Sequence, residues 1–438
     1  MAGNLILEAG IGSWGRYPQQ RHHLHVLWDR SRELPLFGAP ALPYGRGRSY
    51  GDVCLNDGGV LLSTRGLDRF ISLDEERGLL RCEAGLTFEQ ILDLIVPRGW
   101  FLPVTPGTRF ATLGGAIAND VHGKNHHRVG SFGHFVRELE LLRTDGRRLL
   151  CSRQQNPEWL AATIGGLGLT GLVTWAEVEL KRIHNPWLLA QTIRFFDVDE
   201  FFALSADSER DYEYTVAWID CAARAARGRG LFMRANHSPA LDDLPPAPRR
   251  KRLRVPFTPP LALVNRATLM PFNAAYFRFH RAGGTPELVH FDPFFYPLDA
   301  VLEWNRLYGP RGFLQYQCVV PLGERAAITE LLDRIGQRRS GSFLAVLKTF
   351  GDRAADGMLS FPRGGITLAL DFPIVGPDTF ALMTELDRIV LDAKGAIYPA
   401  KDARMPPAMF RAGFPAAERF TQFIDAGLSS SFWRRVTH

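Results

Sequence analysis

The sequence predicts a globular α+β protein, and three observations carry that reading. Its 438 residues are 46% hydrophobic and 22% charged, enough for an ample core divided over two to three domains. Strand-like runs alternate with helical repeats, and a hairpin signal falls at Thr144-Asp145-Gly146. Two glycine-rich stretches, Pro43–Asp52 and Pro103–Gly133, sit between such elements. Glycine allows main chain to come close to a ligand, and successive amides in such turns form concave anion sites.

The net charge of +6 suits an anionic ligand or a membrane surface as well as nucleic acid. No basic helix with interleaved aromatics stands out, so nucleic acid is set aside. Cys54, Cys82, Cys151, Cys221 and Cys318 are scattered, with no CxxC pair and no histidine at zinc spacing, which predicts reduced thiols in a cytoplasmic protein and no metal site. The N-terminus lacks the basic start and apolar core of a secretory signal, and no apolar run reaches the ~18 residues of a membrane span. The expectation is a protein that is soluble or peripheral at the inner face of a membrane.

In chain order, Pro43–Asp52 reads PYGRGRSYGD, a Gly-x-Gly-x-Ser turn ahead of the apolar run Val60–Ser63. Gly45, Gly47 and Ser49 offer amides and a hydroxyl to a phosphate; no helix follows and the third glycine is missing, so this is not the dinucleotide fingerprint. A strand at Leu79–Glu83 precedes a helix capped by Thr87, with Phe88, Ile91, Leu92 and Ile95 on one face and an end at Pro97-Arg98-Gly99. After Pro103–Gly133, Phe135–Leu142 and Arg148–Ser152 form the hairpin.

Alternating strand and helix patterns resume at Ile193–Phe202 and include the apolar run around Trp218, which by composition is core. Ser238–Pro260 is proline-rich and reads as a loop; its basic run Arg249–Arg254 is either a solvated face or a contact for anionic lipid headgroups. Helical periodicity returns at Arg325–Arg338 and Asp378–Ala393, the latter closed by Gly395, with a strand ending at Lys348 between them.

The ordered set of GRSY (47–50), PGTR (106–109), GGAIA with HGKNHH and GSFG (114–133), GLTG (168–171), AWID (217–220), EWNRLYGPRGFLQYQ (303–317), DFPI (371–374) and AKDAR (400–404) resembles the vanillyl-alcohol-oxidase-type flavoproteins. Within them it is most similar to the decaprenylphosphoryl-β-D-ribose 2′-oxidase branch. The resemblance covers nearly the whole chain. It implies an FAD-binding domain in two parts, 1–185 and 396–438, around a substrate domain, 186–395, built as an antiparallel sheet flanked by helices.

The same resemblance implies FAD, with its pyrophosphate on Gly45, Arg46, Gly47, Arg48, Ser49 and Tyr50 and on the backbone of Thr112, Leu113, Gly114 and Gly115. Further contacts fall on Gly107, Asn119, Asp120, Val121, His122, Val173 and Tyr398. Some relatives link the flavin to a histidine after the second glycine of the GxGHS loop; that position is Arg48 here, so the expected FAD is noncovalent. Trp218, Tyr296, Gln315, Gln317, Lys348, Thr367 and Ala369 are implied at the sugar. The mycobacterial pattern carries cysteine and asparagine where this chain has Ala369 and Thr367, so covalent trapping by nitroaromatic compounds at that point is excluded.

Flavin oxidation of an alcohol needs a hydroxyl-proton acceptor and positive charge near the flavin's pyrimidine edge. Lys401 is assigned the charge or the proton role, and His122 and Lys124 join it as catalytic residues. Without the resemblance, Lys401 reads as a surface lysine paired with Asp402. The implied activity is oxidation of the 2′-hydroxyl of a polyprenylphosphoryl ribose, with an NADH-dependent short-chain reductase taking the keto product onward to the arabinose form for cell-wall synthesis. The alternatives are a soluble aldonolactone or alditol oxidase and a noncatalytic flavin-binding subunit of a cell-wall assembly complex.

Overall fold

The computed structural model describes residues 6–7, 11–221, 228–249, 252–338 and 342–438. Three sheets organise them. In the first, the strands Ile6–Leu7, His23–Val26, Val60–Ser63 and Ala41–Tyr44 lie in that order, with Val60–Ser63 parallel to both neighbours and buried throughout. A strand buried on both faces reads as a continuous apolar run, which is how Val60–Ser63 is legible. The second sheet is antiparallel, ordered Phe70–Asp74, Leu79–Glu83, Leu172–Glu179, Val136–Leu142 and Arg148–Ser152.

The helix Phe88–Ile95 packs within the core of this second sheet, burying Phe88, Ile91, Leu92 and Ile95. Its start is a reciprocal cap: Gln90 N–H donates to Thr87 Oγ1 at 3.3 Å and Thr87 N–H to Gln90 Oε1 at 3.0 Å. Such a cap stabilises by about 1 kcal/mol. After one 3₁₀ turn the segment stops at Gly99, whose φ of 76° is open to glycine at no steric cost.

The third sheet has eight strands, in the order Glu287–His290, Trp187–Phe195, Gly230–His237, Tyr214–Ile219, Ala345–Phe350, Gly365–Pro373, Phe313–Val320 and Ala396–Ile397, antiparallel at every step. Alternation along these strands divides the side chains between two faces. Leu314, Tyr316, Leu347, Leu368 and Leu370 join Phe201, Leu331 and Leu386 of the helices Val198–Ser208, Arg325–Gln337 and Pro377–Asp392 in one core. The opposite face carries polar groups: the register sets Gln317 beside Ala369, Ala369 beside Val346 and Val346 beside Trp218, and in the next rows Lys348 beside Thr367 and Gln315 beside Asp371.

The elements differ from the sequence reading in four places. The helix Pro377–Asp392 is closed by Lys394, at φ 55°, while Gly395 N–H returns to Val390 O at 2.8 Å; a Cβ on Gly395 would meet Val319 O at 2.5 Å, so that glycine answers packing. The strand through Lys348 continues to Phe350. Within Ser238–Pro260, Leu253–Arg254 pairs in parallel with Val301–Leu302, and Arg250 and Lys251 of the basic run lie outside the described residues. Ala396–Ile397 closes the edge of the large sheet. Beyond it Ala41 N–H donates to Gly427 O at 2.8 Å and Ser429 N–H to Ala41 O at 3.0 Å, and Arg435 grips Asp52 through two bonds of 2.7 and 2.9 Å.

Candidate active site

The Gly45–Ser49 loop leaves the end of Ala41–Tyr44. Gly47 has φ 60°, and a Cβ there would meet Tyr44 Oη at 2.2 Å and Gly12 O at 2.6 Å, so only glycine fits. Among the described residues the backbone N–H groups of Gly45 through Ser49 donate to no protein acceptor. A run of free amides is a donor cradle for phosphate oxygens.

The second glycine stretch is arranged differently. The N–H groups of Leu113, Gly114 and Gly115 are spent on Leu86 O, Ala84 O and Thr112 Oγ1 at 2.9, 2.8 and 3.2 Å, and Leu113 is fully buried. These three amides are spent within the fold, whereas those of Gly45–Ser49 are open. Gly107 has open space where a Cβ would stand. Asn119 has a buried Oδ1 without a hydrogen-bond partner, and its carbonyl accepts from Tyr398 Oη at 2.9 Å. The open amides, the open glycine and the orphaned amide oxygen fit a large, flat, phosphate-bearing cofactor such as FAD. Arg48, at the position of the linking histidine, has no imidazole with which to form that bond.

The side chain of Asp120 is committed inward. It is fully buried and accepts from Ser131 Oγ, Gly133 N and Ser360 Oγ at 2.8, 2.8 and 2.6 Å, tying the glycine stretch to the large sheet's long loop. Val121 is partly buried and Val173 lies in the core.

His122 is where three segments meet. Its Nε2 is 2.9 Å from Gln317 Nε2 and its Nδ1 is 3.2 Å from Lys348 Nζ, while Phe350, Phe361 and Tyr398 surround the ring. Thr367 Oγ1 lies 3.2 Å from Gln317 Nε2. Burial, then the neighbouring cation of Lys348, holds the imidazole pKa well below its usual value, so His122 is neutral at pH 7. Lys348 is itself pushed down to about 7 by burial.

A second group adjoins it. Lys401 Nζ sits 3.7 Å above the centroid of the Tyr50 ring, and Tyr50 N–H donates to Ala400 O at 2.8 Å, joining the first glycine loop to the AKDAR stretch. Burial lowers Lys401 to about 7, with Asp371 opposing and Lys348 adding to the shift. Asp402 takes no part: it binds Arg435 at 2.9 Å and the N–H groups of Arg404 and Met405, so the surface pair with Lys401 does not form. Asp371, fully buried, accepts from Gln315 Nε2 at 2.5 Å and Tyr308 Oη at 3.2 Å, and burial raises it to about 7. The DFPI motif contained Asp371 without giving it a role; its signal was one acid in the mostly apolar run Gly365–Pro373.

The remaining expected residues have partners of their own, and Lys124 still feels the charge of Lys348. Lys124 donates to Phe294 O and lies 4.3 Å over the Phe294 ring, and burial lowers it to about 7. Tyr296 is buried against Thr105, hydroxyl to hydroxyl at 2.6 Å. Trp218 shares the face of Gln317 at a remove of three strands, its indole N–H donating to Phe343 O at 2.8 Å and its ring edge-on to Tyr276. His126 packs on Phe350 and His127 Nε2 lies 3.0 Å from Tyr212 O, both in supporting positions.

Residues 29–152 match the family model described as an FAD binding domain. The chain is 36% identical to the decaprenylphosphoryl-β-D-ribose oxidase of Mycolicibacterium smegmatis over 397 residues, which is 87% of this chain and 85% of that protein. It is 32% identical to an uncharacterised protein of Streptomyces coelicolor over 78% of this chain and 95% of the other. The human Δ(24)-sterol reductase is 28% identical over 110 residues, 25% of this chain and 21% of that protein. No helix among the described residues is long and apolar enough to cross a membrane.

Proposed function

The chain belongs to the decaprenylphosphoryl-β-D-ribose oxidase family of FAD-dependent oxidoreductases, and on that premise we propose that it oxidises the 2′-hydroxyl of a polyprenylphosphoryl-β-D-ribose to the 2-keto sugar. The observation that carries the proposal is the convergence of His122, Gln317 and Lys348 beside the Lys401–Asp371–Gln315 group, in a chain 36% identical to that oxidase. FAD, when bound, supplies the acceptor for the hydride leaving the carbinol carbon.

The protein's own groups divide the remaining work. Neutral His122, held by Gln317 and Lys348, is the acceptor for the hydroxyl proton. Lys401, in its protonated form, offsets negative charge that develops beside it, and in a buried site that charge counts for more than in water. Gln315 and Gln317 hold sugar hydroxyls, and Asp371 holds Gln315. Gly45–Ser49, Gly107 and Asn119 hold the cofactor. The keto product suits a separate NADH-dependent short-chain reductase that completes inversion to the arabinose form, and a lipid-linked substrate suits a peripheral position at the cytoplasmic face of a membrane.

Anaerobic mixing of purified flavoprotein with a polyprenylphosphoryl ribose tests the reading. Bleaching of the flavin absorbance is expected. Absence of bleaching by that substrate, with bleaching by an aldonolactone or alditol, would overturn it.

A further inference from the structure

Outside the His122 and Lys401 groups there is a cavity of about 190 Å³ between Trp14, Arg48, Phe110, Arg252, Arg254 and Trp304. Its floor is Arg48. The guanidinium lies between two aromatic faces, 4.1 Å from the centroid of Trp14 and 4.9 Å from that of Phe110, and its Nε is buried without a hydrogen-bond partner. No hydrogen bond or ion pair of Arg48 is formed among the described residues. A guanidinium clamped flat by two rings presents its donors in a fixed fork, which is the geometry that recognises phosphate.

The acids around the cavity are committed elsewhere. Asp299 accepts from Thr108 Oγ1 and Arg109 N, each at 2.8 Å. Glu303 lies 3.8 Å from Arg306, and Arg252 is paired with Glu89. The cavity wall thus holds two carboxylates with donors of their own, which also act on Arg48, and the cations Arg48 and exposed Arg254, for which no hydrogen bond or ion pair is formed among the described residues. The position also connects: Trp304 packs on Phe313 at 5.7 Å, and Phe313 on Tyr50 at 5.6 Å, the ring beneath Lys401. One aromatic layer therefore separates the cavity from the proposed reaction site.

We propose that this cavity is a phosphate-binding vestibule in which Arg48 and Arg254 hold the phosphodiester of the lipid-linked substrate. The identity of the phosphate's bearer rests on the proposed function; the anion site does not. Its volume falls below the ~300 Å³ at which pockets take whole drug-sized ligands, and suits a phosphate with the start of a chain lying against Val301 and Leu302.

The test is calorimetric titration of the FAD-loaded protein with farnesyl phosphate, inorganic phosphate and farnesol. Farnesyl phosphate is expected to bind about tenfold or more weakly to Arg48→Gln, as for loss of a charge-assisted contact, and several-fold more weakly to Arg254→Gln, with farnesol far weaker than either phosphate. Arg254 is exposed, so its variant keeps the test decisive if Arg48→Gln loses flavin. Equal affinity of both variants and wild type for farnesyl phosphate, or farnesol binding as well as farnesyl phosphate, would overturn the inference. Arg48-dependent binding of inorganic phosphate as tight as that of farnesyl phosphate would support the anion site and assign it to free phosphate. Binding is read without turnover, so a wild-type protein that binds farnesyl phosphate through Arg48 yet is not bleached by polyprenylphosphoryl ribose would remove the substrate reading and leave the site.

Discussion

Lys348 Nζ lies 3.2 Å from His122 Nδ1 while Gln317 faces the opposite ring nitrogen at 2.9 Å. The Gln317 amide nitrogen donates, so His122 Nε2 is the acceptor and the imidazole proton sits on Nδ1, where it is donated to Lys348 Nζ in its uncharged form. The amide thus selects the tautomer, and the charge of the amine sets how readily the ring takes a second proton. Lys348→Met removes the repelling cation, so the His122 pKa moves up toward its usual value. The acid limb of kcat/KM is expected to shift to higher pH, and an unshifted limb in the variant would disconnect the two residues.

Lys401 is the cation nearest Asp371 in the second group. Lys401→Met is expected to slow flavin reduction about 10²–10³-fold, the usual effect of deleting one electrostatic stabiliser, with flavin content unchanged. Rapid mixing under anaerobic conditions reads the first quantity and absorbance the second. Reduction at the wild-type rate would take Lys401 out of the mechanism.

Lys124, Lys348 and Lys401 are all lowered to about 7 from 10.5, which has a consequence for stability. Between pH 7 and the unfolded value the unfolded chain binds more protons than the folded one, so stability rises with pH in that interval. Buried thiols such as Cys82, raised from 9.0, reverse the sign above about pH 9. Thermal unfolding midpoints are therefore expected to climb from pH 7 to pH 9, and Lys348→Met to flatten the climb. A midpoint that falls over this window in the wild type would contradict the burial of these amines.

Gly47 and Gly107 separate backbone strain from cofactor contact. Gly47→Ala places a Cβ at φ 60° against Tyr44 Oη and Gly12 O, costing at least about 1–2 kcal/mol for the left-handed conformation alone; both unfolding midpoint and flavin occupancy should drop. Gly107→Ala meets nothing within 4 Å, so its unfolding midpoint without flavin should stay unchanged while FAD affinity falls. Full FAD affinity in Gly107→Ala would place the cofactor elsewhere.

Local chemistry was legible in the sequence: the Thr87 cap, the Gly99 stop and the Thr144-Asp145-Gly146 hairpin depend on residues a few positions apart. The Gly45–Ser49 loop was legible for the same reason. Asp371, Gln315 and Lys401 were not grouped by any local signal, because the register of strands 56 residues apart brings Gln315 to Asp371 and an edge strand brings Lys401 to them. That the amides of Leu113–Gly115 are already engaged was hidden on similar grounds: glycine content suggests open amides, but whether an amide is open depends on which carbonyl, here Ala84 O or Leu86 O, the fold places opposite it. Trp218 and Tyr296 were placed at the sugar by resemblance, and their hydroxyl and indole partners, Thr105 and Phe343, could be found only in three dimensions.

The edge strand Ala396–Ile397 also decides how Lys401 is held. Tyr398 N–H donates to Gln317 O at 2.9 Å and Tyr398 Oη to Asn119 O at 2.9 Å, so one residue is nailed to the substrate-side sheet and to the cofactor-side loop at once, three positions before Lys401. Separating the sheet from the loop would cost both of these hydrogen bonds, each about 1 kcal/mol net. Tyr398 thus makes the position of Lys401 answer to the sheet and to the loop together, so a shift of either is felt at the lysine.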